Sequence, residues 1–335
     1  MIRVTIMDED RIRDIDEANM LKDITSMPDH IREAAEISKK VRLEGPFKSI
    51  FSVGMGGSGI AGELLGDLVD RVPVFLCRDY ELPKFINKDS LIILNSYSGN
   101  TEETLACAKA ALKTKANVLV ITSGGRLLEM AKKHTWAFVN IPSGLRPRAS
   151  LGYQLFSILC VLSNSGVVNL STDIGKAVEA LEKGSFKDKA IALAEKMKGR
   201  IPLIYSSPQY SSVAVRWKAQ LNENAKIHAF ANIIPEMNHN EIMGFTKLLA
   251  EHYVVFIRDE QDNKRIIERV RITKKIITNC GVDSTELVLK GSSKLSKMIT
   301  AVHVGDLVSY YLALEYGVDP SVNHLIDEIK RELTK

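Results

Sequence analysis

The 335-residue sequence predicts an α/β protein of two doubly wound units, each a parallel sheet flanked by helices in an αβα sandwich. Short apolar runs rich in Val and Ile alternate with longer segments of helical spacing, a pattern typical of buried parallel strands joined by crossover helices. This alternation occurs twice along the chain, and the length is comfortable for two domains. The two halves therefore look like a diverged duplication of one α/β unit.

The first series occupies residues 46–165 and follows an N-terminal helical extension, residues 1–45, with helical spacing around Met27–Val41. Its strands are expected at Ser49–Val53, Val72–Cys77, Leu91–Leu94, Val118–Ile121 and Trp136–Asn140, and its helices at Ile60–Leu68, Thr101–Lys113 and Arg126–Lys133.

A charged helical connector, residues 166–200, leads to the second series at residues 201–318. Its strands are expected at Leu203–Tyr205, His252–Ile257 and Glu286–Leu289, and its helices at Ser211–Ala225, Ile266–Asn279 and Leu295–Tyr316. Gly317 ends the long helix, and residues 319–335 are expected to hold a final amphipathic C-terminal helix.

The composition indicates a globular protein, with 45% hydrophobic and 26% charged residues and a net charge of +4. Basic and acidic residues are interleaved, which disfavours a nucleic-acid surface. No signal pattern and no apolar run of about 20 residues is seen, so no membrane contact and a cytoplasmic location are expected. The four cysteines form no CxxC pair, which favours buried free thiols over a zinc or redox motif.

A glycine-rich loop follows the first strand. Residues 53–59 read Val-Gly-Met-Gly-Gly-Ser-Gly and lead into a helix. Ligands of open parallel sheets bind at the carboxyl ends of strands, where the free N–H groups of a helix N-terminus favour a phosphate. Gly56 and Gly57 would let the backbone approach such a ligand, and Ser58 would add a hydroxyl group.

The same loop fits a dinucleotide pattern. Gly54, Gly56 and Gly59 match G-x-G-x-x-G, and Asp79 is a possible acidic partner after the next strand. This loop alone therefore leaves a nicotinamide site open as an alternative.

The loop after the third strand favours a phosphate. Residues 95–104 read Asn-Ser-Tyr-Ser-Gly-Asn-Thr-Glu-Glu-Thr, and three hydroxyl groups fall at the start of a helix: Ser96, Ser98 and Thr101. One hydroxyl is expected as an N-cap, and Asn100 with Glu103 fits a capping pattern. A hydroxyl cluster without lysine suits a small phosphomonoester rather than a nucleoside triphosphate. The turn at residues 122–125, Thr-Ser-Gly-Gly, again combines hydroxyl groups with glycines before a helix.

These loops resemble the sugar isomerase (SIS) family. Four further segments are similar to bifunctional phosphoglucose/phosphomannose isomerases: Pro142–Arg148, Leu221–Lys226, Asn238–Glu241 and Asp319–Lys330. The resemblance extends from about residue 20 to 335 and covers both units, which are then of the SIS type. It implies an aldose–ketose isomerase that interconverts glucose 6-phosphate and mannose 6-phosphate with fructose 6-phosphate through an enediolate.

The resemblance also implies the catalytic residues. Glu223, which lies between Asn222 and Asn224, matches the family's proton-transfer base. Arg148 is the expected stabiliser of the enediolate, because a fixed guanidinium can face two oxygens, and Arg146 is the near alternative.

The same resemblance implies two further catalytic residues, both of which act in ring opening. His239 matches the ring-opening residue, which the family brings from the neighbouring subunit, so a homodimer is expected. Lys330 matches the lysine that assists at the ring oxygen. Ser321 and Asn323 lie where the family has a small polar residue linked to specificity at C2.

Other functions fit part of the pattern. A non-catalytic sugar-phosphate-binding regulatory protein would keep the hydroxyl loops while lacking Glu223, and would usually carry a helix-turn-helix. An aminosugar-phosphate synthase would need an N-terminal nucleophilic cysteine, which Met1 and Ile2 do not offer. No metal and no cofactor are expected, because no H-E-x-x-H or carboxylate–histidine cluster with ligand spacing is seen.

Overall fold

A computed structural model describes residues 9–333 of the chain. The remaining residues of the predicted N-terminal extension and C-terminal helix, 1–8 and 334–335, lie outside the described residues.

The described residues form helices and parallel strands. In chain order the helices are α1 Glu9–Ile15, α2 Met20–Thr25, α3 Met27–Ser38, α4 Gly56–Leu68, α5 Glu102–Ala111, α6 Gly125–Lys133, α7 Leu151–Asn164, α8 Ser171–Lys183, α9 Lys187–Met197, α10 Ser211–Asn224, α11 Lys264–Asn279, α12 Lys294–Tyr316 and α13 His324–Leu333. The strands are β1 Ser49–Val53, β2 Val74–Cys77, β3 Ser90–Asn95, β4 Asn117–Thr122, β5 Ala137–Asn140, β6 Ile201–Ser206, β7 Phe230–Ile233, β8 His252–Asp259 and β9 Asp283–Leu289.

The five-stranded unit comprises Thr25–Gly184 and Gly291–Thr300. Its sheet has the order β2-β1-β3-β4-β5, and every pairing is parallel. All of β3 and almost all of β1 and β4 are buried, because helices cover both faces of such a sheet. The chain runs from β1 outward to β2 and then returns to the other side of β1 as β3. The carboxyl ends of β1 and β3 therefore flank the switch point where open sheets bind ligands.

The four-stranded unit comprises residues 9–24, Ser185–Lys290 and residues 301–333. Its sheet has the order β7-β6-β8-β9, again with parallel pairings, which repeats the order β2-β1-β3-β4. The repeated order supports the predicted duplication. The predicted fold class, two parallel sheets each flanked by helices, is confirmed.

Two features differ from the expected element order. Strand β7 was not predicted, because it is a short edge strand of half-exposed residues without an apolar run. The predicted connector, residues 166–200, is divided between the two units at Gly184. The predicted domain boundaries themselves stay a prediction.

Burial explains the chemistry of the cysteines. Cys77, Cys107 and Cys160 are buried free thiols, whereas Cys280 is half-buried. Burial raises the pKa of the Cys77 and Cys160 thiols to about 11 and that of Cys107 to about 12. These three thiols are therefore protonated and unreactive near neutral pH. Among residues 9–333, no helix combines the length and the apolar composition needed to cross a bilayer.

Candidate functional site

The glycine-rich segment after β1 is mostly the first turn of a helix. Helix α4 begins at Gly56, so the backbone N–H groups of Gly56 and Gly57 have no partner within the helix. Gly56 has a φ of +48°, a conformation that a residue with a side chain adopts at a cost. The carboxyl end of β1 thus ends at a short turn and a helix N-terminus suited to an anion.

Gly57 lies against the backbone of Arg148. A Cβ atom at Gly57 would lie 2.8 Å from both the N and the Cα of Arg148. Arg148 belongs to a short 3₁₀ helix, Pro147–Ala149, and is 2% exposed, whereas Arg146 is exposed. The structure therefore brings Arg148, rather than Arg146, into close contact with the start of α4.

Ser58 joins the two predicted loops. Its Oγ accepts a hydrogen bond from the Tyr97 backbone N at 3.1 Å, and its carbonyl accepts one from Asn95 Nδ2 at 2.8 Å. The side chain is buried, and its hydroxyl accepts in the first of these contacts. Its own hydrogen can therefore be donated to a further acceptor.

Ser96 and Thr101 form a hydroxyl pair at the start of α5. Their oxygens lie 2.9 Å apart, and Ser96 Oγ also accepts from the Gly99 backbone N at 3.2 Å. Ser96 is buried, and Ser98 is exposed and accepts from the Asn100 backbone N at 3.2 Å. The structure thus brings Ser96 and Thr101 together, while Ser98 lies at the outer rim of the loop.

The predicted capping of α5 by Asn100 and Glu103 is wrong. Thr101 occupies the N-cap position, and its side chain makes no capping hydrogen bond. Asn100 Oδ1 instead accepts from the backbone N of Arg126, in the first turn of α6, at 3.1 Å. The amide side chain is used to join two loops, so the first N–H groups of α5 have no side-chain cap.

Tyr97 holds this loop in place, and sequence reasoning missed it. Its hydroxyl donates to the Pro142 carbonyl and accepts from the Leu145 backbone N, both at 2.9 Å. Its carbonyl accepts from Ser123 Oγ at 2.6 Å, so the third predicted turn braces the loop through this hydroxyl. The only signal in the sequence was a large aromatic residue among small ones.

Glu223 lies in the last turn of α10, in the four-stranded unit, and is half-buried. Its Oε2 accepts a hydrogen bond from Asn323 Nδ2 at 3.1 Å. The flanking amides face other partners: Asn222 Oδ1 accepts from the Ala229 backbone N at 3.0 Å, and buried Asn224 Nδ2 donates to Ser309 Oγ at 2.9 Å. Both amides therefore hold the end of α10, whereas the Glu223 carboxylate between them contacts a different residue, Asn323.

His239 is exposed at the end of a short 3₁₀ helix, Glu236–His239. The residues around it are anchored, because Asn238 Nδ2 donates to Thr273 Oγ1 at 2.8 Å and Tyr205 donates to Glu241 at 2.6 Å. Burial and the hydrogen bond to Glu241 raise the pKa of Tyr205, so its phenol remains a donor. A rigid segment thus presents the imidazole to solvent.

Lys330 lies on α13, where the side chain is exposed and its Nζ is 3.8 Å from Asp327. Of the two candidates for C2 specificity, the structure brings Asn323 to Glu223. Ser321 is buried, and its backbone N donates to Asp319 Oδ1 at 2.7 Å. In the described part of the chain, no group of three or more His, Cys, Asp or Glu side chains could hold a metal ion.

Comparison with known proteins identifies relatives over nearly the whole chain. The family model for the bacterial phospho-glucose isomerase C-terminal SIS domain matches residues 186–333. The bifunctional phosphoglucose/phosphomannose isomerase of Aquifex aeolicus is 39% identical over 298 residues, covering 87% of this chain and 92% of the relative. The protein of the same name from Thermoplasma acidophilum is 37% identical over 310 residues, covering 90% and 96%.

Solved structures agree on the fold. A Thermus thermophilus protein, described as hypothetical, superposes with a TM-score of 0.75 at 15% identity, covering 94% of this chain and 90% of that one. The relatives do not favour the non-catalytic regulatory alternative, because they are named as isomerases. The chain belongs to the bifunctional phosphoglucose/phosphomannose isomerase family and is an enzyme of the aldose–ketose isomerase class.

Proposed function

We propose that this enzyme interconverts glucose 6-phosphate and mannose 6-phosphate with fructose 6-phosphate. The observation that carries the proposal is the half-buried Glu223 carboxylate, held at one oxygen by Asn323. Moving a proton between C1 and C2 of a sugar needs a carboxylate base in a defined position. Relatives at 39% and 37% identity bear the names of both isomerase activities, which supports the pair of substrates.

The 6-phosphate is proposed to bind to the hydroxyl loops of the five-stranded unit. Its ligands would be Gly56, Gly57, Ser58, Ser96, Ser98 and Thr101. The support is that Thr101 makes no capping bond and that α4 and α5 begin at adjacent strand ends, where helix dipoles favour an anion.

In the proposed reaction, Glu223 takes the C2 proton of the open-chain aldose. The C–H electrons form the C1–C2 double bond, and the carbonyl oxygen at C1 becomes an enediolate oxygen. A proton then passes from O2 to O1, the O2 electrons form the carbonyl group at C2, and return of the proton from Glu223 to C1 gives the ketose. Arg148 is proposed to stabilise the negative oxygens, and its 2% exposure and its contact with Gly57 support a fixed position.

His239 and Lys330 are proposed to assist ring opening, with His239 supplied by the second subunit of a homodimer. The exposed position of His239 on an anchored segment supports this role. Two apolar side chains in the segment that follows His239 in the chain are also exposed, Met243 at 66% and Leu249 at 89%, as expected of a surface that contacts another protein. A cytoplasmic location and a place in glycolysis and gluconeogenesis are part of the same proposal.

A coupled assay on each aldose phosphate separately tests the function. Purified protein should form fructose 6-phosphate from glucose 6-phosphate and from mannose 6-phosphate. Activity on glucose 6-phosphate alone would remove the mannose half of the proposal, and activity on neither substrate would reject it.

Removal of the hydroxyl pair should weaken substrate binding. The double variant Ser96→Ala/Thr101→Ala is expected to raise KM by about tenfold or more and to lower kcat less, because hydrogen bonds to a charged phosphate are lost. Thr114→Ala is the control, since its hydroxyl contacts the Ala111 carbonyl at the other end of α5. An unchanged KM in the double variant would argue against the phosphate assignment.

Subunit complementation tests the origin of His239. Glu223→Gln and His239→Ala chains, carrying different tags, can be co-expressed and purified through both tags. If His239 acts in the partner's site, each mixed dimer keeps one intact site and shows about half of the wild-type activity. If both residues act within one subunit, the mixed dimer is inactive.

A further inference from the structure

A buried hydrogen-bonded chain ties the last turn of α10 to α12. Asn224 Nδ2 donates to Ser309 Oγ at 2.9 Å, and the Ser309 hydroxyl donates to the Asp306 carbonyl at 2.7 Å. Both Asn224 and Ser309 have no exposed surface. Each polar group in this chain needs its partner, because an unpaired group in such a place is costly.

The same chain returns to α10 through an ion pair. The Asp306 carboxylate accepts from Arg216 Nε at 3.0 Å and from Arg216 Nη2 at 2.9 Å, and both side chains are 2% exposed. Arg216 lies two turns before Asn224 on α10. Helix α12 therefore holds α10 at two points, one of them next to Glu223.

Close packing prevents the two helices from sliding. Trp217 Nε1 donates to the Ala301 carbonyl at 2.8 Å, and a Cβ atom at Gly305 would lie 2.3 Å from the same nitrogen. The indole thus fills the space at Gly305, and a change in the register of α10 would meet backbone.

Resting on the proposed function, we propose that Ser309 is a positioning residue for the isomerase reaction. Its hydroxyl fixes the last turn of α10 and, through the backbone next to Asn224, the direction of the Glu223 carboxylate. Asn323 then restrains one carboxylate oxygen from the other side. A base displaced by about 1 Å can cost up to about a hundredfold in rate, so this restraint should affect kcat.

A neighbouring residue provides a matched control. Tyr310 is also fully buried on α12, and its hydroxyl donates at 3.0 Å to Oδ2 of Asp16, a residue outside α10. Ser309→Ala and Tyr310→Phe each remove one buried hydroxyl from adjacent positions of the same helix. Both should lower the thermal midpoint, but only Ser309→Ala disconnects the turn that carries Glu223.

Steady-state kinetics and hydrogen exchange on the full-length enzyme test the proposal. Ser309→Ala should lower kcat by about tenfold or more with KM nearly unchanged, and Tyr310→Phe should leave both constants near wild type. Peptides from the last turn of α10 should exchange faster in Ser309→Ala only. If Ser309→Ala fails to fold, Asn224→Ala breaks the same bond and should show the same loss of kcat.

The outcomes separate this proposal from the proposed function. An inactive wild type would reject the proposed function, while exchange in α10 would still decide whether Ser309 holds that turn. Wild-type kcat in Ser309→Ala, or equal losses of kcat in Ser309→Ala and Tyr310→Phe, would overturn the positioning role. In a double-mutant cycle, Asn224→Ala and Ser309→Ala should not be additive in kcat, and additive effects would also contradict it.

Discussion

Glu223→Gln is expected to lower kcat by about a thousandfold or more while sugar-phosphate binding stays near wild type. An amide cannot take up the proton from C2, yet it has nearly the size of the carboxylate and its oxygen can still accept from Asn323. Stopped assays of kcat, together with calorimetric titration with fructose 6-phosphate, measure the two effects separately.

Glu315→Gln is the matched control for this prediction. Glu315 lies in the same unit, and its carboxylate forms a surface ion pair with Lys198 at 2.8 Å. Removal of that charge should leave kcat unchanged, since such pairs contribute little. If Glu223→Gln turned over substrate at the wild-type rate, Glu223 would be removed from the mechanism.

Gly57→Ala is expected to reduce kcat/KM by about tenfold or more, because the new methyl group would overlap the backbone of Arg148. The overlap involves backbone atoms at 2.8 Å, so a rotamer change cannot relieve it. Either α4 or the 3₁₀ helix Pro147–Ala149 must move, at a cost of about 1–3 kcal/mol in the free energy of unfolding. Kinetics and chemical denaturation together measure both effects.

Gly66→Ala, in the same helix, separates the overlap from the general effect of alanine in a helix. A Cβ atom at Gly66 would meet only Val74 Cβ, at an ordinary 3.9 Å. This control should be neutral or stabilising, because alanine has the higher helix propensity. Wild-type kcat/KM in Gly57→Ala would show that the Arg148 backbone has room to move and does not need its present position.

The sheets could be predicted from local sequence, and so could the loops that are proposed to bind the phosphate. Continuous apolar runs such as Leu91–Leu94 predict buried parallel strands, and three hydroxyls at the start of α5 exceed what helix capping requires. Strand β7 could not be found in this way, because its pairing with β6 and the link from Asn232 to Glu241 are what support it.

Contacts between distant segments were beyond sequence reasoning. Tyr97 meets Pro142, Asn323 meets Glu223, and Asn224 meets Ser309 only because the fold brings residues far apart in the chain together. None of these residue types carries a periodic signal. Asn222, Glu223 and Asn224 show clearly how little the sequence says about such contacts. The three residues are consecutive in the chain, but in the structure each has a different hydrogen-bond partner.

The repeated strand order has an evolutionary consequence. On the predicted duplication, one copy has glycine and hydroxyl loops at the ends of β1 and β3, whereas the other carries Ser207 and Pro208 after β6 and has Glu223 in the last turn of α10. On the proposed assignment, the residues that bind the phosphate group lie in the five-stranded unit, and the base that determines the reaction lies in the four-stranded unit. Substitutions in α10 and α13, natural or engineered, could therefore change the reaction catalysed on the sugar while the phosphate-binding loops stay the same.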